Sequence, residues 1–165
     1  MNRIFSQIIK FLIKLISIHL IFLSIHLISK MYLQDVYIFE WTSRYDFIFP
    51  WLIALIWVIF NKYTVALSMA VGHIVGLFLG LYLDERRITD VLLHYDISEL
   101  TGAKYELLQS KAAYTWFYTV LIFMIIGILL QKFIFKTNEP SLFDIIYESI
   151  KKFYTNVKAM ISKRK

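Results

Sequence analysis

The length of its uncharged apolar runs constrains this chain more than any other feature. From Tyr63 to Leu83, and again from Tyr114 to Leu130, there is no Asp, Glu, Lys or Arg. A helix that is apolar all round belongs inside a large protein or inside a membrane. A chain of 165 residues is too small to surround several such helices with its own mass. About 20 apolar residues cross a hydrocarbon core of ~30 Å. Candidate spans lie at about 11–29, 47–61, 63–83 and 114–135. The expected fold is an all-α integral membrane protein. It comprises a four-transmembrane-helix bundle over 1–135, with an outer loop at 84–113, and an amphipathic basic C-terminal helix in a tail at 136–165. The hydrophobic fraction of 59% exceeds the ~45–50% of soluble domains. The absence of cysteine excludes a disulfide scaffold, a cysteine nucleophile and a thiolate metal site.

The second run is the shortest. From Phe47 to Phe60 it would rise only ~21 Å as a helix, so it must borrow flanking residues or thin the bilayer. Pro50 falls near its first turn, where a missing N–H costs least. Asn61-Lys62 is the only strong polar break before the third run. A break this short fits a tight antiparallel turn with Asn61 in a left-handed or capping position. The amino terminus resembles a secretory signal only in outline. A cleavable signal needs a small-residue site, and the first alanine is Ala54.

Lys and Arg in the flanks set orientation. One side of the proposed bundle carries Arg3, Lys10, Lys14, Lys62, Lys132, Lys136, Lys151, Lys152, Lys158, Lys163, Arg164 and Lys165; the other carries only Lys30, Arg44, Arg86, Arg87, Lys104 and Lys111. This asymmetry places both termini in the cytoplasm and requires an even number of spans. Trp41, Tyr45 and Trp51 mark the outer start of the second span, and Tyr114, Trp116 and Tyr118 that of the fourth, as interfacial aromatic belts do. Trp57 lies deeper and is expected to pack. The stretches Asp90–Leu93 and Leu100–Leu108 show helical spacing, so short helices are expected within 84–113.

The tail repeats Leu142, Ile146, Ile150, Phe153, Val157, Met160 and Ile161 every three or four residues, with Asn138 as its expected cap. Lys151, Lys152, Lys158, Lys163, Arg164 and Lys165 gather toward its end. Such a helix suits contact with anionic headgroups or a cytoplasmic partner.

In the third run, Ser68, Gly72, Gly76 and Gly80 recur every four residues and share one helix face. Small residues let helices approach closely where lipid removes the hydrophobic drive. The face predicts internal packing on the second or fourth span, with an oligomer or partner interface as the alternative. His73 borders this face, and His19 and His26 lie seven apart on the first span. Ionisable groups at bilayer depth are costly. The three histidines are therefore candidates for a polar or proton-sensitive site, against the plainer role of hydrogen bonding between helices. No Asp or Glu falls inside a proposed span, which weighs against a proton-coupled carrier. Asp90 and His94 stand four apart and form a weak metal pair lacking a third ligand.

No HExxH, GxSxG, Walker or dinucleotide motif occurs, so no catalytic residue and no cofactor is predicted. Nor does any motif suggest nucleic acid, despite a net charge of +6. Richness in Ile, Lys, Phe and Tyr leads us to expect a bacterial cell membrane. The leading expectation is a non-enzymatic accessory or interaction protein for assembly or protection. Its partners would be the anionic lipid bilayer and another membrane protein or a second copy. A small transporter or channel subunit that forms its pore by oligomerising, and an intramembrane enzyme using His73 or the Asp90/His94 pair, are the alternatives.

Overall fold

The structure is a computed structural model that describes residues 2–42, 44, 48–95, 102–135 and 140–162. Every regular element among them is helical: α1 (Asn2–Tyr32), α2 (Tyr37–Trp41), α3 (Ile48–Ile59), α4 (Tyr63–His94), a 3-10 helix at Gly102–Leu108, α5 (Ala112–Phe133) and α6 (Leu142–Ser162). Three of these, α1, α4 and α5, are long and apolar enough to cross a membrane. The chain is accordingly a helical bundle with three helices of membrane-spanning length.

α3 falls short of that length. Its 12 residues rise about 18 Å against a core of ~30 Å. The run proposed at 47–61 is therefore helical only over 48–59, because Asn61 turns the chain. Asn61 has φ 57°, in the left-handed region that a short Asn side chain tolerates better than most. Its side chain accepts a hydrogen bond from Lys14 Nζ at 3.0 Å, which fastens the α3–α4 turn to α1.

α4 departs from expectation in the other direction. It does not stop at Leu83 but continues unbroken to His94, so the first eleven residues of the segment expected as a loop at 84–113 are helical. The expected short helix over Asp90–Leu93 is the end of α4 itself, and the one expected around Leu100–Leu108 is the 3-10 turn. Asp84 and Arg87, charged residues just past the apolar run, are engaged within the fold at this point. Asp84 is buried and accepts from Arg87 Nη2 and from the Lys111 amide, both at 2.9 Å. Arg87 also donates to the carbonyls of Leu107 and Gln109. The charges thus clasp α4 to the start of α5.

Two apolar clusters fill the bundle. One joins Met69 and Leu77 of α4 to Trp116 and Val120 of α5, with Ile25 of α1 and Ile38 and Phe39 of α2. The other joins Ile18 and Phe22 of α1 to Ala54 and Val58 of α3 and Ala66 and Ala70 of α4. Trp57 packs against both. Trp41 is not simply an interfacial residue: it is half-buried and meets the Trp116 ring edge-on at 5.7 Å.

The start of α1, the α3–α4 turn, the end of α5 and the start of α6 share one end of the molecule. Lys14 bonds Asn61, Gln131 Oε1 accepts from the Thr64 amide at 3.3 Å, and Phe60 meets Phe143 at 5.6 Å between ring centres. α1 and α4 therefore both start from this end, and α2 with α3 returns the chain to it. α6 opens on Ser141, not Asn138, which lies outside the described residues. Asp144 Oδ2 accepts from the Ser141 amide and hydroxyl at 2.8 and 2.6 Å, while Ser141 Oγ accepts from the Asp144 amide. This is the reciprocal capping-box arrangement. The same bonds hold the Asp144 carboxyl below its ordinary value.

Candidate functional site

The seam between α4 and α5 is built from four glycines. A Cβ on Gly80 would lie 2.8 Å from the Ala112 carbonyl oxygen, and one on Gly76 would lie 3.0 Å from that of Trp116. One on Gly72 would meet Phe123 Cβ at 2.5 Å, and one on Gly127 of α5 would meet Ser68 Cβ at 2.8 Å and Val65 Cα at 2.9 Å. Ser68, Gly72, Gly76 and Gly80 thus all face α5 of the same chain. The small-residue face is consumed inside one molecule. Gly127 is the fifth member of the seam; being alone on α5, it has no four-residue repeat to reveal it.

This close approach brings His73 to Trp116. His73 is 2% exposed, and Trp116 Nε1 donates to its Nδ1 at 3.0 Å. The acceptor role of Nδ1 leaves Nε2 as the nitrogen that carries the proton in a neutral ring. The His73 ring also lies 5.1 Å from Phe22 and 5.8 Å from Trp116, centre to centre. With Trp41 on the far side of Trp116, four aromatic rings from α2, α5, α4 and α1 form one row through the bundle. Chemically, the row supplies a buried polar bond and large apolar contacts between helices. It fixes helices relative to one another. Trp116 was an interfacial residue by its sequence position; only the glycine seam places it inside.

The other histidines are elsewhere in role. His19 is exposed and stacks against Trp51 of α3 at 5.4 Å between centres, and His26 is half-buried. Among the described residues no group of three or more His, Asp or Glu side chains could hold a metal. Asp90 Oδ1 and His94 Nδ1 stand 3.7 Å apart, both well exposed on the last turns of α4. Lys151, Lys152 and Lys158 are exposed on α6, and Lys163, Arg164 and Lys165 lie outside the described residues.

At the far end of the seam, Asp84 is where electrostatics matter most. Its carboxylate is held by hydrogen bonds from the Lys111 amide and Arg87, together with the Arg87 charge. Lys111 precedes α5 and has no side-chain cap of its own. Asp84 thus caps α5 from another helix, satisfying an amide that α5 leaves open and setting negative charge at its amino end.

Comparison with protein-family models, with curated proteins and with solved structures finds no match.

Proposed function

We propose that this chain is a multi-pass protein of a bacterial cell membrane, with four crossings and both termini in the cytoplasm. We further propose that it serves as a non-enzymatic accessory subunit for assembly or protection. The fourth crossing is α3, which thins the bilayer or borrows its flanks. Support comes from the way α1 and α4 start at the same end, so the chain between them must return. The lysine-rich flanks at that end, Lys10, Lys14, Lys62 and Lys132, favour the cytoplasm.

The observation that carries the accessory reading is the division of labour among surfaces. The polar groups inside the bundle, His73, Trp116, Gln131 and Asp84, are bonded between helices. The small-residue face is closed by α5. Apolar side chains face outward on every long helix, and on α1 they form a broad ridge of Leu12, Ile13, Ile16, Leu20, Leu27 and Ile28, all exposed. A membrane protein partner would meet this ridge by side-chain packing, at bilayer level. The pore alternative asks His19, His26 or His73 to face water; of these, His73 is buried beneath Phe22 and Trp116, whereas His19 is exposed.

The test is purification of the tagged chain from its native membrane in mild detergent, with identification of co-purifying chains and measurement of particle mass. A stoichiometric foreign membrane protein supports the accessory reading. A lone monomer or a clean homo-oligomer overturns it, and solute flux in liposomes then decides whether the pore alternative holds.

A further inference from the structure

α6 is seated and open at once. Ile145, 7% exposed, turns inward with Leu142 and Pro140 toward Phe11 and Val58. The side away from Ile145 is a continuous apolar arc of Phe143, Ile146, Tyr147, Ile150, Phe153 and Tyr154, each between 46% and 71% exposed. These positions follow the three- and four-residue steps of a single helix face. The other side carries Asp144 and Glu148 in the first turns, then Lys151, Lys152, Thr155 and Lys158, all exposed.

We infer that this arc is a membrane-binding surface: α6 lies in the plane of the leaflet, with its aromatic arc in the interface and its lysines among anionic headgroups. Three observations identify lipid as the occupant. First, apolar Phe133, Ile134 and Phe135 close and follow α5, and α6 begins at Leu142. The link spans at most about 25 Å fully extended, so α6 is held beside the bilayer surface. Second, Phe143 at the start of the arc is in ring contact with Phe60, itself half-exposed at the end of α3. The arc is therefore continuous with the apolar surface of the bundle. Third, the charges fit this placement. Acids sit at the amino end, where they also favour the helix, and the basic residues begin at Lys151, where each adds attraction to an anionic leaflet. A helix with one aromatic and aliphatic face and a lysine-bearing opposite face is the form that rests in an interface without crossing it. The inference rests on the membrane placement proposed above and not on the accessory role.

The chain has no cysteine, so single cysteines can be placed and spin-labelled one at a time. The full chain is reconstituted in nanodiscs of phosphatidylcholine alone or mixed with phosphatidylglycerol. Collision of each label with oxygen, which concentrates in lipid, is compared with collision with a water-soluble nickel chelate. Labels replacing Ile146, Tyr147, Ile150, Phe153 and Tyr154 are expected to favour oxygen severalfold over labels replacing Asp144, Glu148 and Thr155, with helical periodicity. The contrast is expected to deepen with phosphatidylglycerol. Changing Lys151→Gln, Lys152→Gln and Lys158→Gln together is expected to return it to the phosphatidylcholine level. Labels that meet the nickel chelate equally on both faces overturn the inference. So do arc labels shielded from both reagents with dipolar broadening, which would put a second copy there. A contrast indifferent to lipid charge and to the three substitutions overturns the anionic part. A label replacing Ile13 of α1 reports membrane placement independently, so failure of α6 alone and failure of the wider reading give different results.

Discussion

α4 and α5 meet backbone to backbone, whereas α1 and α3 meet the bundle through side chains. On the first interface, the Cβ that Gly76 or Gly80 lacks would sit at 3.0 or 2.8 Å from a main-chain oxygen. On the second, Ile18 and Phe22 fit against Ala54 and Val58 while their neighbours on α1 stay exposed. A backbone cannot rotate away from an intruding atom, but a flexible side chain can. The first interface should therefore be intolerant of added volume and the second forgiving. The contrast also separates roles. The intolerant seam fixes the histidine–tryptophan row and the Asp84 clasp, whereas α1 and α3 are held by side-chain packing at Ile18, Phe22, Ala54 and Val58.

The largest effect is expected at the seam. Gly76→Leu places four extra carbons against the Trp116 main chain. Overpacking a tight core costs about 1–3 kcal/mol and at times more, and here no side chain can move to relieve it. The measurement is the thermal unfolding midpoint in mild detergent, beside Val58→Leu in the side-chain interface of α3 as the forgiving comparison. Equal midpoints for the two variants would remove the distinction between the interfaces.

Next comes the clasp. Asp84→Asn keeps the shape but loses the charge that Arg87 and the Lys111 amide bind. Hydrogen bonds to charged groups contribute about 1.5–3 kcal/mol, and the amide retains part of that. The thermal unfolding midpoint of Asp84→Asn in mild detergent is expected to fall below that of wild type, and an equal midpoint would show that the clasp does not hold the two helices together.

Smaller again is the change expected for Trp116→Phe, which removes the donor to His73 while keeping an aromatic ring in the row. Hydrogen bonds between helices in a membrane average about 0.6 kcal/mol, reaching about 1.7, and the lost indole volume adds to this. His73→Gln, which keeps an acceptor, should recover more stability than His73→Leu if the bond matters. The reverse order would make the row purely apolar.

How much of this was legible beforehand differs by interface in the same way. The four-residue repeat Ser68, Gly72, Gly76 and Gly80 announced a close helix approach, because spacing on one helix needs no knowledge of another. The identity of the opposing helix was not legible: Gly127 stands alone, and Trp116 reads as a belt residue until α5 is laid on the seam. The long apolar runs announced α1, α4 and α5. They overstated α3, since hydropathy continues through Phe60 while Asn61 ends the helix. They understated α4, since Asp84 and Arg87 look solvated when their partners, 20 to 27 residues away, are unknown. The cap of α6 is legible in Ser141-Leu142-Phe143-Asp144, whose reciprocal bonds need only local spacing. His19, His26 and His73 looked alike as intramembrane histidines, yet only burial by neighbouring helices distinguishes them.

The smallest effect on stability is expected on the forgiving side. Ile13 of α1 is 61% exposed, and substitutions at exposed positions usually change stability by less than about 0.5 kcal/mol. Ile13→Ala, alone or with Ile16→Ala and Leu20→Ala, should therefore leave the unfolding midpoint of the purified chain nearly unchanged. The comparison sharpens in the native membrane. If the α1 ridge meets another membrane protein, the triple variant loses recovery of that partner while Gly76→Leu loses the fold itself. Separation of the two defects would show that the tight seam builds the molecule and the loose face connects it. A triple variant that keeps full partner recovery would assign the ridge to lipid. A large drop in its own midpoint would mean that α1 is held more firmly than its exposed side chains imply.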